Sequence, residues 1–232
     1  MSTIEAIRPE EIEKRSFEII EETIKAQGIP VPFSSDEDNA AEGSCRAGDR
    51  VLCRKIVYRC IHTTADFDYA STLRFSDNSV DIIQRLLRDG ADIVTDTNMA
   101  LTGINKKKLE TLGGRVYCFM ADEDVAAEAK KRGVTRACVA MERAASLHKS
   151  NPDKSMILAI GNAPTALMSL HKMHSEGIFT PDFVIGVPVG FVNVVASKEL
   201  IMSTDIPYII NEGNKGGSPV AAAIVNAVLY SL

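Results

Sequence analysis

The chain has 232 residues, 45% of them hydrophobic and 25% charged, with a formal net charge of −5. That suffices for one α/β domain with its own core. The acidic balance opposes non-specific nucleic-acid binding, which needs a basic field, but not an anionic small molecule held by a few cations and N–H groups. No apolar run approaches the roughly 20 residues of a bilayer span.

The start, MSTIEAIRPEEIEKRSFEII, lacks the basic and apolar regions of a signal peptide. A cytoplasmic protein with no membrane and no nucleic-acid partner is expected. Its five cysteines then read as thiols, and Cys45, Cys53 and Cys60 have no C-x-x-C spacing.

Residues 9–27 predict an amphipathic helix, with Pro9 in its first turn and Gly28 as its stop. Ile12, Ser16, Ile19, Ile20 and Ile24 mark its inner face. Ser16 is polar on an apolar stripe: its hydroxyl either bonds back to its own helix or faces a ligand. Residues 32–48 are rich in Ser, Gly and acid and read as a flexible loop or insertion. Residues 49–61 resume a helical pattern and place His62 at or just beyond a helix C-terminus. There the helix dipole favours imidazolium and burial opposes it. Such a histidine is structural or a proton donor. Asp66 and Asp68 orient it, cap the next segment or are solvated.

Residues 71–75 predict a short strand. A helix over 77–88 follows, capped by Asp77 or Ser76. A strand over 92–95 delivers Asp96, Thr97, Asn98 and Met99 to its carboxyl end. The cluster Lys106, Lys107 and Lys108 reads as solvated surface. A strand over 116–120 and a helix over 122–132 come next. Thr135 caps a further helix to about His148. That sets Arg136 in the first turn, where a cation opposes the dipole and calls for a partner.

The stretch from Met156 to Lys198 holds two tandem units, each an apolar run, a Gly/Pro loop and a helix. The first is Met156–Ile160 followed by the loop of Gly161, Asn162, Ala163, Pro164 and Thr165. The second is the run 183–187 followed by Pro188, Val189, Gly190 and Phe191. This alternation predicts a single domain over 1–232: a mostly parallel central sheet flanked by helices in three layers, Rossmann-like. The loops after the strands then form the ligand crevice. A strand over 206–210 and a turn, Gly216, Gly217 and Ser218, lead into a last helix over 219–232. The turn resembles an anion-binding helix start with free N–H groups.

No G-x-S-x-G, G-x-G-x-x-G or G-x-x-x-x-G-K-[ST] occurs. His171 and His174 are an i, i+3 pair read as surface, and no cluster has metal-ligand spacing. The residues thus describe an α/β enzyme with a crevice for an anionic, partly apolar ligand. They do not name a reaction.

IGNAPTAL (160–167), VIGVPVGFVNVVASK (184–198), RSFEII near the start and the single His62 together resemble the precorrin-8X methylmutase family of corrin (vitamin B12) biosynthesis, cobalt-precorrin-8 methylmutases included. The similarity covers nearly the whole chain apart from the 32–48 loop. It implies an isomerase that moves a methyl group from C-11 to C-12 of precorrin-8X or cobalt-precorrin-8. The product is hydrogenobyrinate or cobyrinate.

The implied chemistry is an acid-assisted 1,5-sigmatropic shift with His62 as general acid, no external methyl donor and no cofactor; any cobalt is carried by the substrate. Ser16 and Arg136 would face the tetrapyrrole, and Met99 and Phe191 would line its ring. The N–H groups around Asn162, Thr165, Gly190, Gly216, Gly217 and Ser218 would bind its carboxylate arms. The resemblance also implies a homodimer. A non-catalytic tetrapyrrole carrier and a nucleotide-binding enzyme are the rival readings. Intact His62 argues against the first and the missing fingerprints against the second.

Overall fold

The short apolar runs become strands because both of their faces are covered. The computed structural model describes residues 7–33 and 48–232. A 3-10 turn at Pro9–Glu11 opens α1 (Ile12–Ala26), followed by α2 (Arg50–Thr64) and α3 (Tyr69–Thr72). Next come β1 (Leu73–Phe75), α4 (Ser79–Arg88), β2 (Asp92–Thr95), α5 (Asn98–Gly103), α6 (Lys106–Thr111) and β3 (Val116–Tyr117). Then follow α7 (Glu123–Arg132), α8 (Arg136–Ser150), β4 (Met156–Ile160) and α9 (Pro164–Ser175). The chain finishes with β5 (Phe183–Gly186), α10 (Val194–Met202), β6 (Tyr208–Asn211) and α11 (Ser218–Leu229).

The strands form one six-stranded sheet in the order β1-β6-β5-β4-β2-β3. All neighbours are parallel except β1, which runs against β6 at the edge. Successive side chains alternate between faces. Ile93, Ile157, Ala159, Phe183, Ile185 and Ile209 join the core under α1, α2, α4 and α11. Val94, Met156, Leu158, Ile160, Val184 and Ile210 join the core under α7 to α10. The expected three-layer α/β architecture is therefore present. α5 leaves β2 toward the first layer and α9 leaves β4 toward the second, so the chain changes direction between these adjacent strands. A crevice opens at the carboxyl ends of strands at such a switch point.

Several boundaries differ from expectation for local reasons. α2 continues to Thr64 and stops at left-handed Ala65, so His62 lies inside the last turn. Ser71 and Thr72 are helical, because their backbone N–H groups both donate to the Asp68 carbonyl. α4 begins at left-handed Asn78, with no side-chain cap from Asp77 or Ser76. β3 pairs over Val116 and Tyr117 alone. β6 starts after Pro207, which has no N–H for a ladder. Only Ile20 and Ile24 of the expected α1 face are buried; Ile12 and Ile19 are exposed. Phe17 packs inward with them.

Most of the expected 32–48 loop lies outside the described residues. Of its described start, Phe33 packs edge-on against Phe75 with ring centroids 5.3 Å apart. Cys60, Cys118 and Cys138 are free thiols, and Cys45 lies outside the described residues.

The route from β6 to α11 sets the steric limits. The 212–217 loop crosses back over the ends of β5 and β4 to reach the first layer. At Gly216 (φ +157°) an added Cβ would sit 2.1 Å from the Val187 carbonyl oxygen. At Gly161 it would sit 2.7 Å from Ser218 Cα. By contrast, Gly177 (φ +65°) has nothing within 4 Å of that position. Gly216→Ala is expected to destabilise by about 3 kcal/mol or more, and Gly177→Ala by about 1 kcal/mol. Equal losses in denaturant unfolding would contradict the crossing as the source of strain.

Candidate functional site

The carboxyl edge of the sheet is built on three consecutive residues at the end of β2. The Thr95 hydroxyl lies 3.0 Å from the Thr97 carbonyl and 3.3 Å from that of Tyr117, tying the end of β3 to β2. Asp96 is fully buried. Its carboxylate accepts the N–H groups of Gly161, Asn162 and Ala163 at 2.8, 2.8 and 2.6 Å. Burial pushes this carboxyl above its ordinary range while the three donors pull against that shift. Thr97 caps α5 by accepting from the Ala100 N–H, and its hydroxyl meets that of Ser218 at 2.7 Å. One tripeptide thus holds the loop after β4, the start of α5 and the start of α11.

A second anchor lies under the neighbouring loops. Lys198 of α10 is buried and no carboxylate pairs with it among the described residues. Its ammonium donates to the carbonyls of Gly213 (2.7 Å) and Lys215 (2.9 Å). Burial pushes its pKa down to about 8. Asn211 Nδ2 donates to the same Lys215 carbonyl at 3.0 Å. Asn214 and Gly190 exchange two bonds: Gly190 N–H to the Asn214 carbonyl, 3.1 Å, and Asn214 Nδ2 to the Gly190 carbonyl, 2.6 Å. The Gly217 N–H closes on the Val187 carbonyl at 2.9 Å. Loops 187–193 and 212–217 are therefore one cross-tied unit. It presents Phe191 (91% exposed) and Val192 (80%) to solvent.

His62 approaches from the first layer. Its exposed imidazole meets the Phe17 ring at 5.7 Å between centroids and 84° between planes. Neither ring nitrogen has a hydrogen bond from the described residues. Arg59 stacks over Phe17 at 5.1 Å, lies 5.7 Å from the Tyr230 ring centroid, and pairs with Glu13. These contacts fix α1 on α2 and α11. Beyond the helix, Lys215 bridges Asp66 (2.6 Å) and Asp68 (2.5 Å). Burial acts to raise Asp66, but its bonds to Lys215 and the Asp68 N–H outweigh this and hold it below the usual carboxylate range.

Arg136 stands in the other layer, at the start of α8. Thr135 caps that helix and donates its hydroxyl hydrogen to Thr165 Oγ1 at 2.9 Å. The Arg136 guanidinium reaches only the Met120 carbonyl, at 3.4 Å, and pairs with no carboxylate among the described residues. It is an exposed cation beside the Thr165 loop.

The site thus differs from expectation in how the loops bind. The N–H groups of Asn162, Gly190 and Gly217 are satisfied internally, and the Ser218 hydroxyl is bonded to Thr97. These groups hold the loops in place. No hydrogen bond engages the N–H groups of Thr165, Gly216 and Ser218 among the described residues. Ser16 bonds back to the Ile12 carbonyl at 2.9 Å. Met99 is exposed on the first turn of α5. His174 is partly buried at the surface, bonded to Thr180 at 2.9 Å and near the exposed Asp205 at 3.2 Å. No group of three or more His, Cys, Asp or Glu residues suited to a metal exists among the described residues.

Asp96 and Lys198 are the residues whose roles spacing did not assign. The available signals were an acid directly after a buried run, DIVT, and a lone cation among the apolar residues of VVASKELIM.

A precorrin-8X methylmutase family model matches residues 11–231. The cobalt-precorrin-8 methylmutase of Salmonella typhimurium is 40% identical over 227 residues, 97% of this chain and 96% of that protein. The precorrin-8X methylmutase of Pseudomonas aeruginosa is 38% identical over 184 residues, 78% of this chain and 86% of that one. The crystal structure of precorrin-8x methyl mutase from Thermus thermophilus superposes with a TM-score of 0.75 at 30% identity, covering 95% of this chain and 96% of that one.

Asp96→Ala would orphan three backbone donors and is expected to destabilise by about 2–4 kcal/mol. A loss under about 1 kcal/mol in urea unfolding would contradict its anchoring role. Lys198 supplies a pH signature. Its folded pKa of about 8 is below the unfolded value of about 10.4. Between these values the unfolded chain binds more protons, so this group makes stability rise with pH. The stability difference between the native protein and Lys198→Met should grow in favour of the native protein from pH 8 to 10. A flat or falling difference would contradict the burial of the ammonium.

Proposed function

This chain belongs to the precorrin-8X methylmutase family, and we propose that it moves the methyl group of a precorrin-8X-type macrocycle at the carboxyl edge of its sheet, with His62 as proton donor. It is an isomerase. The substrate is the tetrapyrrole with or without cobalt, the two forms named for its relatives. The observation that carries the reading is the exposed His62 imidazole, whose ring is set against Phe17 and whose nitrogens have no hydrogen bond from the described residues.

His62 would protonate the conjugated macrocycle. The charge so placed favours migration of the methyl from C-11 to the adjacent C-12, and the proton then returns to the imidazole. No atom is gained or lost, and the reading needs no external methyl donor, nucleophile or redox cofactor. The protein's part is to hold the reacting carbons in place and to set one proton. Arg136, which pairs with no carboxylate among the described residues, offers its guanidinium to a carboxylate arm. Met99, Phe191 and Val192 offer apolar surface for the ring, and Ser16 and Thr165 add hydroxyls near His62 and Arg136 respectively.

The reading includes a homodimer that covers apolar groups left open on one copy: Ile12 (51% exposed), Ile19 (44%) and Met99 (65%). It also includes a cytoplasmic location. No described helix is long and apolar enough to cross a membrane.

His62→Ala should lower kcat by about a hundredfold or more while substrate still binds. Turnover at the native rate would refute the proton-donor assignment. Arg136→Ala should weaken substrate binding by about tenfold, near 1.4 kcal/mol; an unchanged Kd in an anaerobic absorption titration would remove its carboxylate role.

A further inference from the structure

The proton-donor reading uses His62 but leaves open what holds its helix end against the sheet. Lys198 is the buried charge that this mechanism does not employ. It lies two layers away from α2, yet a continuous set of contacts joins them. Its ammonium grips the carbonyls of Gly213 and Lys215 on either side of Asn214. Between those bonds the loop has little freedom, because Asn214 is locked to Gly190 and Asn211 holds the Lys215 carbonyl from the other side. The Lys215 side chain then leaves the loop and pairs with both Asp66 and Asp68. These carboxylates flank the turn that directly follows α2, whose last turn carries His62. A second strut runs parallel: Asn211 Oδ1 accepts the Thr72 hydroxyl at 2.7 Å, and Glu212 N–H donates to the Thr72 carbonyl at 2.8 Å.

We propose that Lys198 is a positioning residue for the methyl migration: it sets the 212–217 loop, and through Lys215 it holds the Asp66 and Asp68 turn that places His62. The inference rests on His62 as proton donor. An ammonium suits the task because it donates to two carbonyls at once and is small enough to sit beneath the loop. A buried charge without a carboxylate partner is costly unless hydrogen-bonded. Its presence here is explained by the shape it imposes on the loop. A surface ion pair alone stabilises little. Lys215 acts instead through placement, because its backbone is held on one side and its ammonium on the other.

The test compares Lys198→Met, Lys215→Met and the double variant in the full-length protein with cobalt-precorrin-8 under anaerobic conditions. Lys154→Met serves as control, since Lys154 pairs with Asp92 and the Gly113 carbonyl near the opposite ends of the strands. Lys198→Met and Lys215→Met are each expected to lower kcat by about tenfold, with KM changed less than threefold, and to shift the His62 imidazole NMR signals. The double variant should be no more than about twofold slower than the worse single one, because both act on one path. Lys154→Met should lose thermal stability but keep kcat and the His62 signals.

Native kcat and native His62 signals in Lys198→Met would overturn the proposal, as would a double variant whose loss is the product of the two singles. If Lys198→Met does not fold, the exposed Lys215→Met decides alone by the same two readouts. His62→Ala run alongside separates the claims. Native turnover there refutes His62 as donor, whereas full loss there with an unaffected Lys198→Met refutes only the positioning role.

Discussion

The carboxyl edge of the sheet depends on one buried carboxylate. Asp96 ends the central strand β2 and takes three successive N–H groups from the loop after β4. A carboxylate in that position would be prohibitively costly if left bare. The loop therefore has to fold over it, and the loop in turn has a shape only because the carboxylate is there. Thr95 and Thr97 extend the same logic to the end of β3 and to the starts of α5 and α11. This happens at the point where the chain changes direction between β2 and β4, where an α/β sheet has its opening. Lys198 does the converse job under the next two loops, giving hydrogens to carbonyls where Asp96 accepts them from amides.

This arrangement changes what the glycine-containing loops are for. Read as short segments, GNAPT and GGSP look like donor nests for anions. In the folded chain the N–H groups of Gly161, Asn162 and Ala163 go to Asp96 and that of Gly217 to Val187, and the glycines serve close passage of one backbone over another. In the proposed function, binding a polyanionic macrocycle would rest on long side chains such as Arg136 and on apolar tips such as Phe191, and the proton chemistry on His62. Scaffold and proposed chemistry thus come from different parts of the chain.

Much of this was legible in the residues. The Met156–Ile160 strand, the helix from Pro164 to Ser175 and the Thr135 cap follow from patterns that need only local physics. The family resemblance carried by the two long motifs agrees with the family model and the solved relatives. What local patterns could not supply were partners distant in sequence. Asp96 meets its donors more than sixty residues later, and Lys198 meets carbonyls beyond an intervening strand. α1 shows the other limit: an i, i+3, i+4 stripe placed Ile12 and Ile19 inside, while a single chain leaves them exposed and turns Phe17 inward to His62.

In the proposed reaction the methyl group moves within the substrate and comes from no other molecule. The most direct measurement is anaerobic incubation of the purified protein with precorrin-8 or cobalt-precorrin-8 bearing a carbon-13 label in the C-11 methyl, with no added methyl donor. The labelled methyl signal is expected to be replaced by one at C-12, with full retention of label. A macrocycle that binds but keeps its label at C-11, or one that loses label, would contradict it.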